Sequence, residues 1–357
     1  MSSIAPAATG RARVRPATWL LRRFVLAPAV VALSVLLWVT LPLWLIAAAA
    51  LSPVVPGRWR ALRLLWVVIV YLTCEALLLA VMLGLWLASG FGRRIRTPYF
   101  EGIHYDLVQG VTWVFFREAR RVLRLRIVTD GPAPDAHPGV PIVVCCRHAG
   151  PGDSFTLIYA LMHWYAREPR VVLKDTLAWD PAIDVLLNRI PARFISPDPA
   201  AGEDLESQVA DLARGLDDND AFVIFPEGGN FTPHRRQRAI DRLRRLGMER
   251  MARRAERMNH VLAPRPGGFL AALDAAPDAD VVMVAHTGLD HLSTVGDVWR
   301  ELPMDKLLIM RWWQVPRAEI PEGREARIDW LYRWWERIDT WVEQNRPEDL
   351  SSGRSTG

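Results

Sequence analysis

VPIVVCCRHAGPGDSFTLIYALMHWYA, residues 140–166, passes through three kinds of chain in one stretch. VPIVVCC (140–146) is apolar, β-branched and too short to be a helix of its own, which is how a strand buried on both faces reads. SFTLIYALMHWYA (154–166) is long enough for a helix. Between them the chain can be neither, because Gly150 and Gly152 tolerate φ values that other residues avoid and Pro151 fixes a third. A strand, a sharp turn and a helix make the repeating unit of an α/β fold.

Working outward, the unit recurs. RVVLK (170–174), ARFIS (192–196), DAFVIFP (220–226), VVMVAH (281–286) and KLLIMRWW (306–313) read as further buried strands. EDLESQVADLARGLDD (203–218) and ARRAERM (252–258) read as helices between them. A last helix from Glu325 to Gln344 carries Ile328, Leu331, Trp334, Ile338 and Trp341 at steps of three and four, a core-packing stripe. The α/β domain is therefore expected over 125–346, followed by a disordered tail over 347–357.

The chain ahead of this domain is of another kind. From Phe24 to Gly57 there is no charged residue, and from Leu64 to Gly92 the only one is Glu75. Crossing the hydrocarbon core takes about 20 apolar residues. As one straight helix the first run would be about 50 Å long, well past the core thickness. Pro42, Pro53 and Pro56 suggest a kinked or re-entrant path instead. Residues 20–92 thus read as a membrane helical hairpin turning at SPVVPG, behind a disordered basic segment over 1–19. A cleaved signal peptide fits less well, since its apolar region is about 7–15 residues. Residues 93–124, extended by RIV, look like an interfacial helix, apolar and aromatic on one side and basic at the end. Arginines before Phe24 and after Gly92 place both ends of the hairpin, and the domain, on the cytoplasmic face. The sixteen Trp suit interfacial seating and packing alike. Glu75, ionisable at mid-span, is a functional candidate that also suits a hairpin apex or a pairing with a basic group of the soluble domain.

Cys74, Cys145 and Cys146 form no disulfide framework and read as small buried hydrophobes. The net charge is +5, but ten Arg lie between His234 and Arg257. Next to a membrane segment this points to an anionic lipid surface or a phosphorylated substrate, or simply to a solvated helical face; no motif for reading nucleic acid is present.

The turn of the opening stretch carries the chemistry. Strand 140–146 ends at His148, and Asp153 precedes the helix in the N-cap position. A carboxylate accepting helix N–H bonds stays ionised, and an ionised carboxylate beside an imidazole orients it as a general base. Asp is also a favoured cap whatever the His does. A second turn, FPEGGNFT, closes strand 220–226: Phe225, Pro226, Glu227 and Gly228, with backbone N–H groups able to face a phosphate and Glu227 able to hold a hydroxyl or a cation. Two such turns in one α/β domain suggest one ligand site beyond the strand ends.

These residues resemble the glycerophospholipid acyltransferases of the lysophosphatidic acid acyltransferase type. RHAGPGD (147–153) is similar to that family's His-x4-Asp motif, LKDTLAWDPAIDVLLNRIPARFIS (173–196) to its second block, FPEG (225–228) to its third, and VVMVAHTG lies in the place of its fourth, apolar strand. NHVLAPRPGGFLAAL (259–273) looks like the lysocardiolipin acyltransferase branch. The resemblance covers roughly 135–345 and implies a mixed sheet flanked by helices. It implies transfer of a fatty acyl group from acyl-CoA or acyl carrier protein to the free hydroxyl of a lysophospholipid, lysophosphatidic acid first, with another lysolipid acceptor or a non-catalytic lipid-binding protein as alternatives. His148 would be the base and Asp153 its orienting partner. No metal, cofactor or covalent acyl-enzyme is implied. Arg147, Ser196, Gly229 and Asn230 depart from the family pattern, two of them where a phosphate-binding Arg is usual; Lys174, Arg193, Arg235, Arg236 and Arg265 are the candidates to supply that charge.

Overall fold

The computed structural model describes residues 16–55, 57, 59–131, 139–150, 152–195, 204–290, 295–301 and 305–347. The expected disordered segments before residue 16 and from 348 on, and Pro151 and Ser196, lie outside the described residues.

The first apolar run is not one helix. It is built from α1 (Pro16–Leu20), a π-helical turn (Leu21–Leu26), α2 (Ala27–Val39) and α3 (Leu41–Leu51). The break falls at Thr40 because Pro42, which lacks an N–H, is tolerated only in the first turn of a new helix. α4 (Arg60–Ala88) returns along α2 and α3. Thr18–Val39 and Arg60–Ala88 are long and apolar enough to cross a membrane. Their outer faces expose Phe24, Val39, Leu43, Ile46 and Leu83.

Both ends of this hairpin touch the rest of the protein. At one end Arg22 donates to the Ala178 carbonyl at 3.0 Å and Arg23 meets the Asp184 carboxylate at 2.9 Å. Arg189 reaches back to the Met82 carbonyl at 2.7 Å. At the turn end Arg60 donates to the Arg300 carbonyl at 2.9 Å and Arg63 to the Val122 carbonyl. Glu75, between them, is buried; the Tyr71 hydroxyl of the same helix lies 3.5 Å from it and also donates to Asp180, so a phenol links Glu75 to an acid of the soluble domain.

α5 (Pro98–Leu123) stops five residues short of the expected helix end. Arg124 takes a left-handed conformation with φ 58°, and RIVTD continues as β1 (Arg126–Asp130). Two apolar residues, Ile127 and Val128, beside a basic helix end carry no period of their own, so only pairing with another strand distinguishes them as strand. The domain then runs β2 (Ile142–Cys146), α6 (Asp153–Trp164), β3 (Glu168–Lys174), α7 (Pro181–Leu187), β4 (Ala192–Ile195), α8 (Leu205–Ala213), β5 (Asp220–Ile224), α9 (Pro233–Arg245), α10 (Glu249–Arg257), α11 (Pro266–Ala275), β6 (Asp280–Thr287), α12 (Val295–Glu301), β7 (Leu307–Val315) and α13 (Arg324–Asn345). The Arg-rich run is two helices, bent apart at Gly247, whose φ of +71° suits glycine.

The strands form one mixed sheet in the order β1-β7-β6-β2-β5-β3-β4. β6, β2, β5, β3 and β4 are parallel, β7 is antiparallel to β6, and β1 is parallel to β7. Apolar cores on both faces explain the uninterrupted apolar strands. One face buries Val143, Cys145, Phe222 and Met283 against Phe269, Leu331, Trp335 and Ile338 of α11 and α13. The other buries Val144, Cys146, Val223 and Val284 against Leu157 and Leu161 of α6 and Phe116 of α5.

Candidate active site

Because β2, β5, β3 and β6 are parallel, the residues that follow them emerge along one edge of the sheet. In register, Cys145 pairs with Ile224 and Cys146 with Val284. His148, the FPEG turn and His286 therefore converge, although 138 residues separate the first from the last.

His148 Nδ1 lies 3.3 Å from Asp153 Oδ2. A carboxylate can only accept, so this contact places the proton on Nδ1 and leaves the Nε2 lone pair for another partner. The geometry differs from the expected cap. Gly152 is the N-cap, Asp153 is the first residue of α6, and its Oδ2 accepts from the N–H groups of Ala149 and Gly150 at 2.6 and 2.5 Å. The carboxylate bonds back into the turn, whose N–H groups lie within reach, so one side chain both closes the bend and faces the imidazole. Burial by itself pushes the Asp153 carboxyl up, but His286, His148 and the Gly150 N–H outweigh it and hold the group below its ordinary value.

The FPEG turn is the scaffold around this pair. Glu227 is 2% exposed; Oε1 accepts from the His148 N–H at 3.0 Å and Oε2 from the Leu262 N–H at 2.9 Å. Both oxygens are thus committed to backbone, which revises the expectation that Glu227 holds a hydroxyl or a cation. Burial pushes its carboxyl up to about 7, with the N–H groups of Leu262 and His148 and the charge of Arg147 opposing. The Phe231 N–H donates to the His148 carbonyl at 2.7 Å, so His148 is gripped from both sides of its backbone. Phe225 packs its ring on the imidazole, centroids 4.6 Å apart. The Gly228 N–H is used within the turn, bonded to the Phe225 carbonyl at 3.0 Å. Pro226 presents its carbonyl to the Arg265 N–H at 2.8 Å. Gly228 has φ +68°, and a Cβ there would lie 3.2 Å from Arg265 Nη1, so the guanidinium rests directly on the turn. Arg235 Nη1 bonds the Asn230 carbonyl at 3.1 Å beside it.

Lys174 and Arg193 stand farther off. Lys174 ends β3, two strands from β2 and so about 10 Å away at ordinary strand spacing. Arg193 lies within β4, at the sheet edge and one strand farther. Arg236 is turned to the Met258 and Glu256 carbonyls, at 2.6 and 2.7 Å.

Arg147 faces inward. It is 1% exposed, pairs with Asp290, and donates to the carbonyls of His286 and of His260, the latter at 2.9 Å. Burial pushes the Asp290 carboxyl up, but the Arg147 and His286 charges and bonds from Gly288 and Thr287 hold it well below the carboxylate range. This departure from the family pattern is a brace under the site. His286 is the residue the sequence reading passed over: Nε2 donates to the Arg147 carbonyl at 3.1 Å and lies 3.6 Å from Asp153 Oδ2. Its signal is a His near the end of β6, at the edge where His148 leaves β2. Cys145 and Cys146 are fully buried, and burial raises both thiols, which leaves neither in a nucleophile's setting. Among the described residues no group of His, Cys, Asp and Glu has an arrangement that could hold a metal ion.

Residues 127–287 match the family model described as Acyltransferase. An uncharacterized acyltransferase of Schizosaccharomyces pombe is 24% identical over 189 residues, 48% of this chain and 51% of its own. The chain thus spans about half the length of that curated relative. Among solved structures, the 1-acyl-sn-glycerophosphate (LPA) acyltransferase of Thermotoga maritima superposes with a TM-score of 0.41 and 14% identity, over 78% of this chain and 98% of that one.

Proposed function

We propose, from the match of residues 127–287 to the acyltransferase family model, that this protein moves a fatty acyl group from acyl-CoA or an acyl carrier protein to the free hydroxyl of a lysophospholipid, with lysophosphatidic acid as the first acceptor. The observation that carries the reading is the His148 to Asp153 contact at 3.3 Å, with Nε2 left as the free lone pair at the strand-end edge.

The acceptor hydroxyl gives its proton to His148 Nε2 as its oxygen attacks the thioester carbonyl. The new C–O bond forms a tetrahedral oxyanion. Its collapse breaks the C–S bond, and the thiolate leaves with the proton returned from Nε2. Asp153 keeps its charge throughout, fixing the Nδ1–H tautomer and offsetting the imidazolium. Glu227 and Phe225 act through His148: one anchors its backbone, the other stops its ring from turning. Arg265 on the FPEG turn, with Arg235 beside it, supplies the charge for the acceptor phosphate, and Lys174 and Arg193 contribute from farther along the sheet. A charge-assisted hydrogen bond of this kind is worth about 1.5–3 kcal/mol.

The hairpin supports a membrane-bound enzyme that takes its acceptor from the bilayer. Since the Arg60 and Arg63 side chains at its turn end bond the same domain as Arg22 and Arg23 at its other end, we read it as entering and leaving one leaflet, with the domain on the cytoplasmic face. Val54, 80% exposed in the turn, provides the check. A cysteine placed there by Val54→Cys should be labelled from the domain's side, and labelling from the opposite side alone would show a span.

The test of function is a panel of lysophospholipids with acyl-CoA and acyl carrier protein donors, read by mass spectrometry on full-length protein purified in detergent. Wild type should form a diacyl product and His148→Ala should lose about 10²–10⁴-fold in rate. Undiminished transfer by folded His148→Ala, or no thioester consumed with any acceptor, would sink the reading.

A further inference from the structure

Asp153 is faced by two imidazoles, and only one has a place in the reaction just described. His148 Nδ1 approaches Oδ2 at 3.3 Å; His286 Nε2 approaches the same oxygen at 3.6 Å. The nearer partner of His286 Nε2 is the Arg147 carbonyl, at 3.1 Å. A carbonyl cannot donate, so Nε2 carries a hydrogen, and the carboxylate beside it feels the positive end of that N–H. His286 is buried, at 4% exposure. Its backbone is held too, because its carbonyl accepts from the Arg147 guanidinium that Asp290 pairs with. The charged and titratable groups around the pair are His148, Arg147, Asp290, the buried thiol of Cys146 and, beyond the His148 backbone, Glu227.

We propose that His286 is a positioning residue for acyl transfer, holding Asp153 as an anion aligned on His148 through its Nε2–H. The inference rests on reading His148 and Asp153 as the base and its orienting partner. As His148 takes the acceptor's proton, Asp153 must stay charged and must not itself become the proton's resting place. A donor on the far side of Oδ2 lowers the basicity of that oxygen and fixes its direction. His286 touches neither acyl donor nor acceptor, so its effect belongs in kcat and not in KM. Its removal also strengthens the pull of Asp153 on His148, which moves the acid limb of the rate profile to higher pH.

Three variants of the full-length protein test this. His286→Leu removes the donor, His286→Gln restores an N–H at similar reach, and His286→Glu puts an acceptor of the same size as Gln in its place. The expected result is a fall in kcat of about tenfold for Leu and at least that for Glu, below the loss that follows removal of a general base. Acceptor KM should stay near wild type, the acid limb should rise in Leu, and Gln should recover most of the rate. If His286→Leu loses the wild-type melting transition, the Gln and Glu pair decides, since the two match in size and differ in whether they donate to Asp153 or repel it. Equal kcat for Gln and Glu, or for Leu an unmoved acid limb with an unmoved kcat, overturns the proposal. His148→Ala run in parallel separates the two readings. If it keeps its rate, the base assignment falls and takes this inference with it; if it loses its rate while His286→Leu does not, only the inference falls.

Discussion

Two carboxylates, Glu227 buried and Asp153 largely so, sit beyond the ends of neighbouring parallel strands, each in a glycine-containing turn, and their surroundings set them opposite tasks. Asp153, after β2, collects two backbone N–H groups and two imidazoles on one oxygen and is held below its ordinary value. Glu227, after β5, divides its two oxygens between two backbone N–H groups and is pushed up to about 7 by burial. The first is arranged to stay charged next to an imidazole. The second ties His148 to the loop around Leu262, a structural bond between two segments 35 residues apart in the chain from Glu227 to Leu262.

The comparison breaks most sharply at Asp153. Asp153→Asn replaces an acceptor by an amide that can donate to Nδ1, sets the wrong tautomer and should lower kcat by about 10³–10⁴-fold with the fold intact. Steady-state rates beside a melting curve read it, and a kcat within tenfold of wild type would leave Asp153 a mere turn former. Next in size is the brace beneath the pair. Arg147→Met takes the guanidinium from Asp290, whose half-buried carboxylate keeps only its bonds from Thr287 and Gly288, and should cost about 3 kcal/mol of stability, seen in denaturant unfolding, whereas Arg147→Met with Asp290→Leu should regain most of it. Acceptor preference should not change in the double variant, because the guanidinium is buried and taken up by Asp290 and the carbonyls of His286 and His260.

Glu227 sharpens the contrast through pH. A carboxyl near 7 in the folded protein and near 4.5 when exposed binds more protons folded than unfolded across that window. The stability it provides is therefore full below about pH 4.5 and lost as pH rises through 7, on the order of 3 kcal/mol at 1.36 kcal/mol per pH unit. Subtracting the pH profile of Glu227→Gln unfolding from that of wild type should show this slope, and a flat difference would place Glu227 in an ordinary carboxylate setting. Smaller still are the cations. Arg265→Ala should raise KM for a phosphate-headed acceptor about tenfold, the cost of one charge-assisted bond. Lys174→Ala, two strands away, should raise it only about twofold to threefold, as expected of a partly screened charge.

How far the residues could be read in advance differs between strands and contacts. Six of the strands were legible because a sheet covered on both faces leaves runs of β-branched and apolar residues, as in IVVCC, where Cys145 and Cys146 serve opposite cores. β1 was not, since RIV gains its strand identity from β7. His148, Asp153 and the FPEG turn were legible from spacing and from the family they resemble. The direction in which each carboxylate bonds was not, because both bond to backbone N–H groups, which every non-proline residue carries and which have no letter of their own in a sequence.

The amino-acid sequence alone determined the apolar hairpin, the α/β alternation, and the pairing of a histidine with an aspartate across a Gly-Pro-Gly turn. These follow from local periodicity and from the narrow conformational range of glycine and proline. Only the tertiary structure decided that Arg147 is a brace, that Glu227 is a clamp on His148, that both ends of the hairpin rest on the domain, and that His286 shares an oxygen with His148. Each of these depends on segments brought together by sheet register and burial. At that range a buried charge takes whatever partner the fold supplies, because leaving it unpaired costs several kcal/mol.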